Sequence, residues 1–187
     1  LNTGTWTTHD ALGRVRAVSV DAESGLLTTL TEYLGGGQVR QTDPRGNVTT
    51  TQFQAFGEPS VEAPVAVSHP EGAVTEIIRD IFGKPVSIVR RNLDGSTRVA
   101  RDYVYDSGQR LCKSMEPETG ATLLAYDAAD NVVWSAAGLD LPDPATCSSD
   151  SAAAEARRVS RSYDARGRLL SLRFPDANGN QDWTYTL

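Results

Sequence analysis

The stretch "RSYDARGRLLSLRFPDANG", residues 161 to 179, has a polar turn signature between two runs of alternating residues. Asp164, at the first position of such a turn, can accept hydrogen bonds from backbone N–H groups two or three residues later. Gly167 can adopt the positive φ of a type I turn with a bulge, and Arg168 then projects from the returning strand. The stretch therefore predicts a β-hairpin whose polar residues form the turn.

The same pattern recurs along the chain, in full in HDALGRV, TDPRGNV, RDIFGKPV and YDARGRL. Degenerate copies are FQAFGEP, YDSGQRL and YDAADNV, where Gln54 replaces the aspartate and Gln109 and Asp130 replace the glycine. Uneven spacing between copies indicates a repeated hairpin with loops of varying length. The predicted turn residues are Asp10, Gly13, Arg14, Asp43, Gly46, Gly57, Asp80, Gly83, Tyr105, Asp106, Tyr126, Asp127, Tyr163, Asp164, Gly167 and Arg168.

An arginine after the turn offers a second contact. Its stem can lie along an aromatic ring, such as that of the tyrosine immediately before the aspartate, with a cation–π stacking energy of roughly 0.5 to 1 kcal/mol. Stacked hairpins are expected to repeat this contact along a sheet.

Short runs rich in Val, Thr, Ile and Tyr, bounded by Gly, Asp, Asn and Pro, recur throughout the 187 residues. This pattern predicts an all-β fold of repeated antiparallel hairpins, which we interpret as one sheet segment over residues 1–187. Residues 138–158 are expected to form an insertion, with a loop followed by a short Ala-rich helix near 150–158. Asp150 or Ser151 is the candidate cap of that helix.

The net charge of -6 argues against a nucleic-acid partner, because neutralising phosphates requires clustered Lys and Arg. No apolar run reaches the roughly 18 residues of a membrane span, and the first ten residues do not have the pattern of an export signal. The chain begins at Leu1 without a methionine. We therefore expect a segment of a longer chain or a processed product, with any export signal outside these residues.

The copies YDARGRL, HDALGRV, YDSGQRL and YDAADNV resemble the Tyr-Asp motif of RHS/YD-repeat proteins. The run TDPRGNVTTTQFQAFGEP resembles that family's habit of joining two units, and the resemblance extends from about Thr8 to Leu187. It implies a long antiparallel ribbon that forms a curved, spiralling sheet, the wall of a hollow β-cage. In bacteria such a cage commonly encloses a toxic C-terminal domain. Related shells occur in the C components of insecticidal toxin complexes and in animal teneurins.

The resemblance implies that the chain is a non-enzymatic wall segment of the shell of an Rhs-type polymorphic toxin. Its implied partners are the rest of the shell and an enclosed toxin domain, with secretion machinery or glycans as further partners. The implied location is secreted or cell-surface. The family's aspartyl self-cleavage core is not found, because the Asp143–Pro144 pair is not in its aromatic and glycine context. We therefore expect no self-cleavage within this segment.

Other candidate sites have structural interpretations that we prefer. A nucleophilic triad needs a histidine near Ser or Cys and an acid, and nothing groups His9 or His69 in this way. A glycosidase pair could be chosen from Asp106, Asp127 and Asp164, but all three are already assigned to turns. We expect no catalytic residues and no cofactor.

Metal sites are also not expected. Zinc would need both cysteines and both histidines at spacings that match no common pattern. The run PDANGNQDW resembles a calcium loop, with oxygen ligands at alternate positions, but a polar hairpin turn explains it equally well. Its candidate ligands are Asp176, Asn178, Asn180 and Asp182.

Cys112 and Cys147 are the two cysteines of the chain. In an exported protein they could form a disulfide, which would contribute roughly 2 to 4 kcal/mol by restricting the unfolded chain. In a cytosolic precursor they would remain reduced thiols, and both alternatives stay open.

Aromatic side chains on the strands support a second functional hypothesis. Their faces can stack on sugar rings, although core filling and cross-strand pairing explain them as well. The alternative to a shell segment is therefore a module that binds carbohydrate or a cell surface. The residues concerned are Trp6, Trp134, Trp183, Tyr103, Tyr105, Tyr126, Tyr163 and Tyr185.

Overall fold

The fold is all-β, as predicted, with antiparallel hairpins throughout. A computed structural model describes residues 4–54, 61–141, 146–147, 154–175 and 181–186. This part of the chain contains fifteen strands, which follow one another in chain order. They are β1 (Thr5–His9), β2 (Val15–Ala22), β3 (Gly25–Leu34), β4 (Gln38–Thr42), β5 (Val48–Phe53), β6 (Pro64–Ser68), β7 (Ala73–Arg79), β8 (Pro85–Asn92), β9 (Arg98–Tyr105), β10 (Leu111–Glu116), β11 (Gly120–Tyr126), β12 (Val132–Leu139), β13 (Val159–Tyr163), β14 (Leu169–Arg173) and β15 (Trp183–Thr184).

The first compact unit, Leu1–Val99, contains β1 to β8, each paired antiparallel with the next. Its strands are rich in Thr and Val, which suit a pleated, half-buried surface. Cross-strand partners make side-chain contacts, as between Ser19 and Thr28, whose hydroxyl oxygens lie 2.9 Å apart. Val74 and Val89, on β7 and β8, are buried. This unit is therefore held mainly by ladder hydrogen bonds and cross-strand pairs.

The second unit, Ala100–Leu187, has a more developed core. On β11 and β12, Ala121 and Leu123 lie opposite Leu139 and Ala136 in the ladder, and all four are buried. Two residues of the 138–158 insertion complete this apolar cluster, Leu141 and Ala154. The insertion therefore packs on the sheet.

Of the short Ala-rich helix expected near 150–158, the structure describes residues 154–158. Ala154 and Glu155 are helical, and β13 begins at Val159. The turn is closed by the Arg157 N–H, which donates to the Ala154 carbonyl oxygen at 3.0 Å. The candidate caps, Asp150 and Ser151, lie outside the described residues.

A disulfide joins Cys112 on β10 to Cys147 in the insertion, with their Cα atoms 5.5 Å apart. Among the described residues, no helix is long and apolar enough to cross a membrane.

Candidate functional site: the aspartate turns

Each aspartate turn is closed by the same pair of backbone hydrogen bonds. At Asp164, the backbone N–H donates to the Arg168 carbonyl oxygen at 2.9 Å, and the Gly167 N–H donates to the Asp164 carbonyl oxygen at 3.0 Å. The pairing register shifts between Ser162 and Tyr163, which is the bulge expected beside such a turn. The same backbone pattern occurs at Asp10, Asp43, Asp80, Asp106 and Asp127.

The carboxylate caps the turn from inside. The Oδ1 atom of Asp164 accepts hydrogen bonds from the N–H groups of Arg166 and Arg168, both at 2.8 Å. Its Oδ2 atom accepts the Arg168 Nε–H at 2.7 Å. The sequence-based prediction named N–H groups two or three residues on, whereas the structure uses those two and four residues on. The residue at the fourth position therefore donates twice, from its backbone and from its side chain.

The third position after the aspartate adopts positive φ even where glycine is absent. Gly13 and Gly167 have φ of 77° and 75°, and Gln109 and Asp130 follow with 63° and 64°. Non-glycine residues rarely adopt this region. The turn therefore keeps its geometry in the degenerate copies. Gly46 and Gly83 also have positive φ, of 86° and 81°, whereas Gly57 lies outside the described residues.

The sequence reasoning missed two kinds of turn residue. The first kind is the side-chain donor four residues after the aspartate. Arg14 and Arg168 were predicted as turn residues, but Asn47, Arg110 and Asn131, which hold the same position, were not. A donor recurring four residues after each aspartate was the signal that could have found them.

The second is a copy of the repeat turn without aspartate: the segment at His69 reads as a turn in the sequence but was not counted among the copies. The N–H of His69 donates to the Ala73 carbonyl oxygen at 2.8 Å, the N–H of Gly72 donates to the His69 carbonyl oxygen at 3.1 Å, and Gly72 has φ of 80°. Glycine at the third position was the signal there, because aligning on the aspartate hides this copy.

An arginine of one turn contacts the aromatic residue before a later turn. The Arg110 guanidinium lies 4.8 Å from the centroid of the Tyr126 ring, and Arg14 lies 4.1 Å from that of Tyr33. The sequence analysis gave the tyrosine before the aspartate as an example of the stacking partner, and for Arg110 the ring is that of Tyr126, before the aspartate of the next turn. An arginine at the turn can reach a neighbouring strand, and the sheet register brings that aromatic ring beside it.

Arg110 makes polar contacts with the next turn as well. Its Nη1 donates to the Asp127 carbonyl oxygen at 2.9 Å and to the Asp130 carboxylate at 2.8 Å. It also forms an ion pair with its own Asp106 at 2.8 Å. One guanidinium therefore connects two successive turns of the second unit.

The tyrosines that precede the aspartates anchor to the previous hairpin. The Tyr126 hydroxyl donates to the Leu111 carbonyl oxygen at 2.8 Å, and the Tyr163 hydroxyl donates to the Val132 carbonyl oxygen at 3.0 Å. Leu111 and Val132 each begin the strand after a turn. Burial is the largest cause that raises the pKa of Tyr126, which keeps this donor protonated.

Comparison with known proteins yields structural matches. No protein-family model matches the chain, and no curated protein sequence matches it. The crystal structure of TcdB2-TccC3-TEV superposes with a TM-score of 0.60 at 16% identity, covering 93% of this chain and 9% of that chain.

Two further solved structures match less closely. The crystal structure of TcdB2-TccC3-Cdc42 has a TM-score of 0.49 at 14% identity, covering 95% of this chain and 11% of the other. The Photorhabdus luminescens Tc holotoxin pore has a TM-score of 0.49 at 13% identity, with 97% and 12% covered.

The match at a TM-score of 0.60 agrees with the Tyr-Asp motifs. The chain shares its fold with a part of that structure. It spans 9% to 12% of the length of the matched chains.

The carboxylates of the aspartate turns have the electrostatics of turn caps. The Arg110 backbone N–H and guanidinium lower the pKa of Asp106, and the Arg168 backbone N–H is the largest cause that lowers the pKa of Asp164. The Asn131 side chain is the largest cause that lowers the pKa of Asp127. A general acid in glycoside hydrolysis needs a raised pKa, so these carboxyls have the opposite property.

The remaining candidate ligands are dispersed in the segment. His9 lies on exposed β1, whereas the Nε2 atom of His69 lies 3.0 Å from the Thr75 hydroxyl oxygen. Within the described ranges, no group of three His, Cys, Asp or Glu side chains could hold a metal ion. Of the calcium-like loop, Asp182 is described, and its Oδ1 accepts the Phe174 N–H at 2.9 Å. Asp176, Asn178 and Asn180 lie outside the described residues.

The aromatic residues fall into two groups. Tyr126 and Tyr163 bind backbone carbonyls, and the Trp134 ring stacks on Arg158 at 4.4 Å. These three side chains therefore make structural contacts within the protein. Of the other candidate aromatic residues, Trp6, Trp183 and Tyr185 are exposed, and Tyr103 and Tyr105 are half-buried.

Proposed function

We propose that the chain is a non-enzymatic wall segment of an RHS/YD-repeat shell that encloses a toxin or effector region for secretion. The observation that carries this proposal is the contact of Arg110 with both Asp106 and the next turn at Asp127. A wall requires each hairpin to fix its neighbour, and this contact does so with residues of the repeat itself.

The chemistry of the turns supports a structural role. The carboxylates of Asp10, Asp106 and Asp164 each accept hydrogen bonds from a backbone N–H and from an arginine. Charge-assisted bonds of this kind are short and orienting, and they occupy the lone pairs that acid–base chemistry would use. We infer that the segment binds no cofactor and acts by sequestration.

The partners follow from the proposed role. One matched structure is named as a Tc holotoxin pore, and the segment is much shorter than the chains it matches. We infer that its partners are the rest of the same shell and an enclosed domain, and that the shell is exported or displayed at the cell surface.

Protease protection tests the proposal. The complete polypeptide that contains this segment is digested under native conditions, and the region following the segment is monitored by mass spectrometry. We expect that region to resist digestion, and to lose its resistance when Asp106→Ala and Arg110→Ala are combined. Glu118→Gln is the control, because it changes an exposed ion pair with Arg101. Equal digestion of that region in the native and denatured polypeptide contradicts the proposal.

A second candidate function, glycan binding, is favoured by Trp183 and Tyr185, which are two residues apart and 62% and 46% exposed. Exposed aromatic faces can stack on the CH surfaces of sugars. Titration with a glycan panel, followed by tryptophan fluorescence, tests it. A saturable response that Trp183→Ala abolishes supports binding, and a flat response in the wild type excludes this function for the panel used.

A further inference from the structure

Strands β2 to β5 of the first unit carry a cavity of about 440 Å³ on one face. Side chains two apart on a strand, or paired across the ladder, share a face of the sheet. By that rule one face holds the following residues that line the cavity: Thr29, Thr31, Tyr33, Val39, Gln41 and Thr51. We call this surface the cavity face. The volume lies in the range of roughly 300 to 1,000 Å³ that ligand sites occupy.

The polar side chains of the cavity face have hydrogen-bonding capacity to spare. Thr31 and Gln41 lie opposite each other in the ladder, with Thr29 and Thr51 nearby on the same face. In the part of the chain that the structure describes, none of these four side chains makes a hydrogen bond. Their hydroxyl and amide groups are therefore available to an occupant of the cavity.

The opposite face of the same strands is different. The hydroxyl oxygens of Ser19 and Thr28 lie 2.9 Å apart, and the Arg40 guanidinium is paired with the Glu32 carboxylate at 3.5 Å. Polar groups on that face thus satisfy one another across the strands, and they include charges that suit bulk water. The two faces of one sheet region therefore differ in both charge and hydrogen-bond pairing.

The occupant of the cavity is uncharged where it touches the sheet. None of the described residues that line the cavity is charged, and an ion placed there would lose hydration without gaining a partner. Hydroxyl and amide groups both donate and accept hydrogen bonds, and Val39 adds an apolar contact. An extended polypeptide matches this mixture, because it offers an N–H and a C=O at almost every residue and side chains at alternate positions.

A sugar matches the cavity less well than a polypeptide does. Sugar rings stack on free aromatic faces. Tyr33 and Phe53 are the aromatic residues among the described lining, and the Arg14 guanidinium already lies 4.1 Å from the centroid of the Tyr33 ring. One face of that ring is therefore occupied.

We propose that the cavity face is the inner face of the wall and binds an extended, uncharged stretch of the region that the shell encloses. This inference rests on the proposed function, because an enclosed region is what gives the sheet an inner and an outer side. Thr31 and Gln41 bond the backbone of that stretch, and its apolar side chains enter the cavity beside Val39. The face with the Glu32–Arg40 pair then lies on the outside.

Site-specific photo-cross-linking in the complete polypeptide tests this assignment. The photoreactive probe is introduced as Thr31→p-benzoylphenylalanine on the cavity face and as Leu30→p-benzoylphenylalanine on the opposite face. Leu30 is the matched control, because it is the adjacent residue of β3 and is 48% exposed. After irradiation, peptide adducts are mapped by mass spectrometry. We expect the probe at position 31 to cross-link to the region that follows the segment in roughly tenfold higher yield than the probe at position 30.

A second pair of variants avoids the bulky probe. Thr31→Asp places a charge on the cavity face, and Leu30→Asp places the same charge on the opposite face. We expect Thr31→Asp to speed protease digestion of the enclosed region in the native polypeptide, and Leu30→Asp to leave its rate unchanged. Circular dichroism should show the sheet in both variants. Equal digestion rates in two folded variants overturn the inference.

The cross-linking outcomes separate this inference from the proposed function. Equal yields at positions 30 and 31, or a higher yield at position 30, overturn the inference, and continued protease protection of the enclosed region leaves the proposed function standing. An adduct at position 31 with a glycan, with a second copy of the chain or with nothing overturns it in the same way. Digestion of the following region in the native polypeptide overturns both.

Discussion

The Arg110 guanidinium lies 4.8 Å from the centroid of the Tyr126 ring while its Nη1 donates to the carbonyl oxygen of Asp127, the residue after that tyrosine. Arg110 thus holds both the ring and the backbone at the start of the next turn. The Tyr126 hydroxyl returns the contact by donating to the carbonyl oxygen of Leu111, the residue after Arg110. Successive hairpins of the second unit are therefore bonded in both directions.

This reciprocal contact predicts unequal effects of two arginine substitutions. Arg110→Ala removes bonds to two turns, whereas Arg168→Ala removes the pair with Asp164, and Arg168 is the more exposed of the two. We expect Arg110→Ala to lower the melting temperature by roughly 3 to 6 °C, and Arg168→Ala by about 2 °C or less. Thermal denaturation followed by circular dichroism measures both. Equal shifts in melting temperature for the two variants would contradict the role of Arg110 in joining two turns.

The tyrosine hydroxyls give a second prediction. Tyr126→Phe and Tyr163→Phe each leave a backbone carbonyl without its donor, and each should lower the free energy of unfolding by about 1 kcal/mol. Tyr185→Phe, at an exposed position, is the control and should have little effect. Urea denaturation monitors all three. An equal loss of unfolding free energy in Tyr185→Phe would show that removing any tyrosine hydroxyl destabilises the protein. That result would contradict a specific role for the hydroxyl groups of Tyr126 and Tyr163.

Alanine substitutions at three glycines distinguish the energetic cost of backbone conformation from that of steric crowding. At Gly13, φ is 77° and a Cβ would meet nothing within 4 Å, so Gly13→Ala should cost about 1 kcal/mol from conformation alone. Gly120 has φ of 79°, and its Cβ would lie 2.7 Å from the Leu139 carbonyl oxygen, so Gly120→Ala should cost more. Gly35 has open space and no positive φ, which makes Gly35→Ala the control. Denaturant titration should rank the losses in the order Gly120, Gly13, Gly35.

The aspartate caps predict the response to acid. The pKa is lowered at Asp10 and Asp43 chiefly by the side chains of Arg14 and Asn47, and at Asp164 chiefly by the Arg168 backbone N–H. A carboxyl with a lowered folded pKa stabilises the fold above its unfolded value, near 3.8, and loses that contribution as pH falls through the folded pKa.

We therefore expect the caps to contribute fully from pH 7 to about pH 5, and the stability to fall steeply below about pH 4. Urea denaturation across this range measures the slope, and Asp164→Asn should reduce the acid-dependent loss. A main loss of stability between pH 7 and pH 5, unchanged in Asp164→Asn, would assign the acid response to other groups.

Local pattern was sufficient to predict the hairpins. Asp164 and Gly167 reveal the turn because the carboxylate and the positive φ both act within five residues of chain. The all-β prediction rests on the same local signals, and it is confirmed. The spacing of donors also identifies Arg168 as a turn residue.

Contacts between hairpins could not be predicted in the same way. Which ring lies over Arg110 depends on the register of neighbouring strands, so the sequence could name the kind of partner, a tyrosine before an aspartate, but not Tyr126 in particular. The packing of Ala154 in the apolar cluster was missed for a related reason, because tertiary contacts create that cluster. The full burial of Lys113 has no sequence signal either, because a lysine in a strand pattern predicts an exposed side chain.

The central claim is that this chain forms part of the wall of a larger shell. Cryo-electron microscopy of the complete polypeptide tests it most directly. The account predicts that residues 1–187 appear as consecutive hairpins within a closed β wall, with further hairpins paired to both edges and density enclosed. A separate domain, with β1 and β15 unpaired and no enclosing sheet, would contradict it.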